Sequence, residues 1–512
     1  MNRIVVVSNR VPVPTAGAQA GGLAVVLGDL MAKRGGLWFG WGGGIAAEAG
    51  EGAVRITHAA GTDYATLALT PREHEGYYNG FSNGVLWSLF HTLPDLIQYD
   101  RRDAATYHDV NRRMASQLIP LLRASDLIWV HDYHLLPMAA ALRARGVRNA
   151  IGFFLHIPFP GADVLAAVPG AAGLVRDMLE ADLIGFQTEG DLSNFAVAAE
   201  AVAGASRRHG DLLQLGGRSI RLGVFPVEIE AREVARMARE LSQCAAVRGL
   251  RRSLPEQQLI FGAERLDPSK GLLQRMAGYR HLLETRPEWR RRVGMLQIAA
   301  TSRKDVGAYQ SLRLAMDQAA GALNTDLGDP DWVPLRVVSR GVDRALVAAY
   351  MREARVGLVT PLRDGMNLVA KEFVAAQDPE DPGVLVLSSF AGAAQQLRDA
   401  LIINPRDPEA IASALAAALS MPLEERTARW QSLWAAIEGR TPLGWGGAFI
   451  DALTRTKVLA DSERAIRVRM RPTPARRSPA TMGPTIGQTA VPPSLEAFAH
   501  KDAPTSPGAP LA

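Results

Sequence analysis

Short apolar runs rich in Val, Ile, Leu and Phe recur along the chain, each bounded by turn residues and followed by an Ala/Leu/Arg-rich stretch. Residues 4–7, 127–130, 151–155, 183–186, 222–225, 259–261, 295–298, 356–359 and 384–387 have the length and β-branched character of buried strands. Residues 110–122, 138–145, 344–352 and 370–377 carry the wider spacing of helices, and further helices are predicted at 408–420 and 423–438. Strands apolar on both faces, alternating with helices, predict parallel sheets covered on both sides, an α/β fold. A strand ending near residue 225 and restarting at 259 divides the chain into two units of similar size, 1–228 and 229–442. From about residue 464 the composition shifts to Pro, Ala, Thr, Ser and Arg without periodicity, which predicts a disordered tail over 464–512.

Composition narrows the class. A chain of 512 residues is too long for one ordinary core, and 47 % hydrophobic with 21 % charged residues is the balance of a globular protein. The apolar run at residues 4–7 is too short for a signal segment or a span, so the expected compartment is the cytoplasm, with no membrane partner. A single cysteine, Cys244, excludes an intrachain disulfide and a thiolate cluster. The net charge of +5 suggests a polyanion partner until its source is located. Seven Lys/Arg against two Asp/Glu lie in 464–512, which accounts for the whole excess. The body is neutral, so no nucleic acid is expected on it.

Four strings carry candidate chemistry. In SNRVPVPTAGAQAGGLA, Arg10 follows a strand and Gly21 and Gly22 precede a helical run. Glycines at a helix start let backbone amides approach an anion, although the same pair also suits an ordinary turn. In HDYH and HIPFP, Asp132 and His156 lie at the ends of two strands, where open α/β sheets bind ligands. A lone histidine there is as often structural, and no HExxH or Cys/His set completes a metal site. In ERLDPSKG, Arg265 and Lys270 sit on one loop and could stabilise a departing diphosphate, or form a solvated charged loop. In PLRDGMNLVAKEFVAAQ, Asp364 precedes a helix whose first turns hold Leu368, Val369, Ala370, Lys371 and Glu372. A helix start aimed at phosphates with an acid set back for ribose is one reading; an ordinary cap by Asp364 or Asn367 is compatible with it. The aromatics Trp38, Phe39, Trp41, Tyr77, Tyr78, Phe81 and Trp87 suit either a core or the stacking wall of a sugar site.

Together these strings, with GLWFGW, YYNGFSNGVLW, TSRKDV and PGVLVLSSFAGAA, resemble the trehalose-6-phosphate synthase family of retaining glycosyltransferases from residue 1 to about 460. The resemblance implies two Rossmann-like domains facing a cleft (the GT-B architecture), with a C-terminal helix over 443–460 returning to the first domain. It implies transfer of glucose from a nucleotide sugar, UDP-glucose foremost, to glucose 6-phosphate with retention, without metal or other cofactor. Carried over by position, Arg10, Tyr78, Trp87, Asp132 and Arg303 match acceptor contacts. Gly21, Gly22, His156, Arg265, Lys270, Val342, Asp364 and the segment Leu368, Val369, Ala370, Lys371, Glu372 match donor contacts. Asp132, His156, Arg265, Lys270 and Asp364 stand nearest the chemistry. Members of the family commonly form homo-oligomers, dimer or tetramer.

Three positions depart from the family pattern: Pro268 replaces a common tyrosine, Glu228 a glycine at the domain junction, and Val342 a phenylalanine near the base-binding loop. The rival readings are a related transferase with another phosphorylated acceptor or GDP-glucose, and a non-catalytic regulatory subunit. Deleting residues 464–512 is expected to leave steady-state kinetics unchanged; a large loss of kcat in the truncated enzyme would refute the tail assignment.

Overall fold

The computed structural model describes residues 2–13, 22–47, 54–208, 211–303 and 306–469; Gly21 and the predicted tail beyond Arg469 lie outside them. The described residues up to Ser462 form one compact unit. In chain order the strands are β1 (Ile4–Arg10), β2 (Gly36–Ile45), β3 (Arg55–Ala59), β4 (Thr62–Leu69), β5 (Leu127–His131), β6 (Ala150–Phe154), β7 (Leu183–Phe186), β8 (Ser206–Arg207), β9 (Leu212–Leu215), β10 (Arg218–Val224), β11 (Gln258–Arg265), β12 (Val293–Ala300), β13 (Leu335–Val338), β14 (Val356–Val359), β15 (Val384–Ser388) and β16 (Leu401–Ile403). They build two sheets, one in the order β3-β4-β2-β1-β5-β6-β7-β10-β9-β8 and the other β13-β12-β11-β14-β15-β16.

The second sheet is parallel throughout, as the apolar runs predict. The first differs at its edges, where β3 pairs antiparallel with β4, and β9 with β10. Chain length explains this. Only Ala60 and Gly61 join β3 to β4, and Gly216 and Gly217 join β9 to β10, all at positive φ. A two-residue link of that conformation closes a hairpin and cannot cross over to a parallel neighbour.

Strand order reverses between β1 and β5 in the first sheet and between β11 and β14 in the second. Helices leave to opposite faces at such a point, and the crevice beyond the carboxyl ends of the strands is where side chains gather. Arg10 ends β1, Asp132 follows β5, Arg265 ends β11, and the segment Pro361–Asn367 follows β14. Every one of these positions stands at a reversal point.

The helix Pro442–Arg469 packs Trp445, Phe449 and Leu453 into the apolar layer that holds Val6, Trp129 and Phe154 of the first sheet. The Phe449 and Trp129 rings stack at 4.6 Å. Gly152 and Gly185 admit Phe449, since a Cβ at either would lie within 2.7 Å of its ring. The helix runs to Arg469, so residues 464–469 are helical and not part of an irregular tail. Among the described residues no helix is long and apolar enough to cross a membrane.

At the junction between the sheets, Glu228 and Lys371 form an ion pair of 2.6 Å whose side chains are 7 % and 0 % exposed. Lys371 also donates to the Val227 carbonyl at 2.8 Å, and Glu228 accepts from Gln396 at 3.0 Å. Glu228 is not among the residues at positive φ, so glycine is not required there. Burial lowers the Lys371 pKa to about 8 despite the neighbouring carboxylate. Removing one member of such a pair strands a buried charge. Lys371→Ala is therefore expected to cost about 3–5 kcal/mol of unfolding free energy, with partial recovery in the Glu228→Ala/Lys371→Ala double variant, measured by urea unfolding.

Candidate active site

Arg10 is the exposed end of β1, and its guanidinium lies 4.8 Å from the centre of the Trp41 ring. Trp41 meets Tyr78 at 5.7 Å, and Tyr78 stacks on His134 at 5.8 Å with planes 10° apart. His134 touches Tyr133 at 3.9 Å, and Tyr133 reaches Trp87 at 5.6 Å. Trp87 carries the Arg303 guanidinium 4.0 Å above its ring and that of Arg265 at 5.9 Å. One uninterrupted wall of rings thus runs from Arg10 at the end of the first sheet to Arg265 at the end of the second. The sequence reading left these aromatics open between core and wall; Trp38, Phe39, Tyr77 and Phe81 are core, Trp41 and Trp87 are buried yet belong to the line of ring contacts, and Tyr78 alone of the seven is partly exposed.

The wall depends on an unforeseen element. Residues His74–Leu86 form a π-helix, ending with the Trp87 amide donating to the Ser82 carbonyl. Tyr77, fully buried, donates its hydroxyl to Asn9 at 2.9 Å, and its neighbour Tyr78 is left to face Trp41 and His134. Gly76, Gly80 and Gly84 interrupt any helical apolar pattern, so sequence spacing did not reveal it.

Asp267 joins the two sheets. Its carboxylate is 1 % exposed and accepts from the Trp87 indole at 3.2 Å, from the Ser269 amide and hydroxyl at 3.0 and 2.8 Å, and from Tyr309 at 3.0 Å. Burial would raise its pKa, but Arg303, Arg265 and Lys270 outweigh burial and hold it well below the usual carboxylate range. Arg303, on a loop at positive φ, also bonds the Tyr309 hydroxyl and donates to Tyr133 at 3.0 Å. Its side chain is 6 % exposed, held between the Trp87 face, Tyr309, Tyr133 and Asp267. Pro268 opens a single 3-10 turn, Pro268–Lys270, capped by Asp267. Proline suits that first position, so the departure from tyrosine fixes the loop without strain.

Asp132 adopts φ 75°, which aims its carboxylate at the start of the next strand end: Oδ1 accepts from the His156 amide at 3.2 Å. Desolvation pushes its pKa up to about 6, against those amide bonds and the charges of Arg303 and Arg265. His156 is held on its ring side as well, with Nε2 3.0 Å from His131 Nδ1. Opposite stands Gly365, where a Cβ would overlap the His156 carbonyl oxygen, so only glycine lets the Asp364 loop close on His156.

Lys270 is ion-paired with Asp364, whose Oδ2 also accepts from Asn367 at 3.0 Å. Asn367, itself at positive φ, caps the helix Leu368–Ala376 by accepting from the Ala370 amide at 3.1 Å. The cap is therefore present and takes the Ala370 amide, while the Leu368 and Val369 amides have no hydrogen-bond partner among the described residues. Lys371 requires a correction. Its ammonium is committed to Glu228 and Val227, and its amide lies past the unbonded first turn of the helix, so its side chain is not a ligand contact. Glu372 is held through Oε1 by Arg344 at 2.9 Å, leaving Oε2 without a partner among the described residues. Val342 packs in the same apolar layer as Leu368 and Val369, just before the Asp343 cap of helix Arg344–Glu353. Arg265 is exposed and has no carboxylate at ion-pair distance among the described residues. Gly22 opens helix Gly22–Arg34, while Gly21 lies outside the described residues. No group of three or more His, Cys, Asp or Glu among the described residues is arranged to hold a metal ion.

The trehalose-6-phosphate synthase of Sinorhizobium fredii is 45 % identical over 457 residues, 89 % of this chain and 98 % of its own. A UDP-forming α,α-trehalose-phosphate synthase from Burkholderia xenovorans, solved in complex with glucose 6-phosphate, superposes with TM-score 0.85 at 45 % identity, covering 88 % of this chain and all of that one. An E. coli structure bound with UDP-2-fluoro glucose gives TM-score 0.83 at 43 % identity over 88 % of this chain and 99 % of its own. The sequence model of glycosyltransferase family 20 matches residues 3–455, and the chain belongs to that family.

Proposed function

We propose that this protein transfers glucose from UDP-glucose to glucose 6-phosphate with retention of configuration, forming α,α-trehalose 6-phosphate and UDP. The observation that carries the reading is the aromatic wall with Arg10 at one end and Arg265 at the other. A sugar phosphate laid along it meets the partly exposed Tyr78 and offers its phosphate to Arg10, while Trp87, buried under Arg303 and His91, backs the wall. A nucleoside diphosphate fits the other end, between Arg265, Lys270 and the amides of Leu368 and Val369 at a helix start. Related proteins hold glucose 6-phosphate and a UDP-glucose analogue, which are the two ligand classes this division calls for.

In the reaction, the bond from the donor's anomeric carbon to the diphosphate oxygen breaks. The acceptor's anomeric hydroxyl bonds to the same carbon on the same face, and its proton passes to the departing phosphate oxygen. Arg265 and Lys270 stabilise the charge that accumulates there, and Lys270 arrives already oriented by Asp364. Asp132, largely ionised at neutral pH, accepts a hydroxyl of the acceptor sugar, while His156 and Asp364 hold the donor glucose. Glu372, steadied by Arg344, accepts from the ribose. This chemistry involves no metal and no organic cofactor, and it belongs in the cytosol.

Arg265→Ala and Lys270→Ala are each expected to lower kcat by about 10²-fold, read as UDP release in steady state; near-normal rates in both would remove their assigned role. Purified protein in EDTA with UDP-glucose and glucose 6-phosphate should release UDP at an undiminished rate, with α,α-trehalose 6-phosphate identified by NMR. A β-linked product or a strict metal requirement would refute the mechanism, and faster turnover of GDP-glucose would reassign the donor.

A further inference from the structure

His131 ends β5 and is fully buried, with its Nδ1 3.0 Å from Nε2 of His156. Burial holds both imidazoles neutral, that of His131 well below the usual range and that of His156 at about 3. Two neutral rings share one proton across this contact, so one nitrogen donates and the other accepts. If His131 Nδ1 carries the proton, His156 Nε2 is bare and its own proton sits on Nδ1. If His156 Nε2 carries it, the His131 proton is forced onto Nε2.

The surroundings of His131 decide between these arrangements. Its Nε2 is buried with no hydrogen-bond partner, and so is the indole Nε1 of Trp129, whose ring lies 4.4 Å away. An indole N–H only donates. With His131 Nε2 bare, one unpartnered acceptor and one unpartnered donor occupy neighbouring rings. With His131 Nε2 protonated, the two unpartnered groups are both N–H donors; each arrangement leaves two buried groups unanswered, and only the first sets groups of opposite polarity in neighbouring rings. Phe154 and Trp445, the other rings against His131, offer no acceptor at ring contact.

We infer that His131 is a positioning residue that fixes the tautomer of His156, so that His156 presents an Nδ1–H donor to the cleft. His156 Nδ1 has no partner among the described residues and is not among the buried atoms. The backbone of His156 is fixed by the Asp132 carboxylate at the same time, so amide and ring are both oriented by the β5 strand end. The catalytic consequence rests on the proposed transfer reaction. A donor N–H can bind a lone pair of a sugar hydroxyl oxygen, but it cannot remove a proton from one. His156 therefore orients the donor glucose and is removed as a candidate base for the acceptor's proton.

The test is a long-range proton–nitrogen NMR spectrum of the full-length protein labelled with 15N-histidine, with His131 and His156 assigned by difference using His131→Asn and His156→Gln. The expected pattern is a protonated Nδ1 and a bare Nε2 on both rings; a protonated Nε2 on His156 would overturn the inference. In kinetics, His131→Asn places an amide N–H where Nδ1 stood and should run close to wild-type rates. His131→Phe fills the ring volume without a donor and should lower kcat by about 10- to 100-fold while leaving KM for glucose 6-phosphate unchanged. Full activity in His131→Phe would also overturn the inference; if that variant fails to fold, the wild-type spectrum decides. The expected spectrum in an enzyme inactive on both substrates would sink the proposed reaction and leave the tautomer assignment standing.

Discussion

A carboxylate buried to 1 % exposure must have every lone pair answered, and the donors that answer Asp267 come from both sheets. The Trp87 indole belongs to the first sheet's unit, and Ser269 and Tyr309 to the second, with Arg303 close by. Separating the units would remove the indole N–H and open Asp267 to water. That one group therefore ties the closeness of the two strand-end crevices to the satisfaction of a buried charge. The aromatic wall, the position of Arg265 over Trp87 and the approach of Gly365 to His156 all presuppose that closeness.

The same economy appears on the opposite flank, where the Glu228–Lys371 pair joins the inter-sheet junction to the helix whose first turn carries the Leu368 and Val369 amides. A glycine at 228 would leave the Lys371 ammonium with the Val227 carbonyl alone. The glutamate is thus a compensated exchange and not a defect in a hinge. Pro268 is similar: it occupies the first position of a turn that its neighbour Asp267 caps.

Much of this was legible in the sequence because burial on two faces leaves a simple mark. Runs such as Leu127–Val130 and Val356–Val359 have no polar alternative, and the residues after them sit at the reversal points of the sheets. The strand Gly36–Ile45 escaped notice because its glycines and tryptophans look like a loop, and the hairpin strand Arg55–Ala59 because an edge strand needs few apolar residues. Lys371 shows a different limit. A cation in a candidate phosphate segment is a natural ligand contact on paper, and only the fold reveals that its partner lies 143 positions away. His131 stood in the same string as Asp132, yet no spacing rule distinguishes a histidine that orients a neighbour from one that fills space.

The π-helix His74–Leu86 carries a consequence for comparing genomes. Along it consecutive tyrosines serve different masters, Tyr77 the interior and Tyr78 the cleft. Losing a single codon inside that segment would shift the register of its i→i−5 bonds and turn Tyr78 relative to Trp87, even with every named contact residue still encoded. An alignment gap there is consequently a more telling sign of a silenced or repurposed paralogue than many substitutions elsewhere.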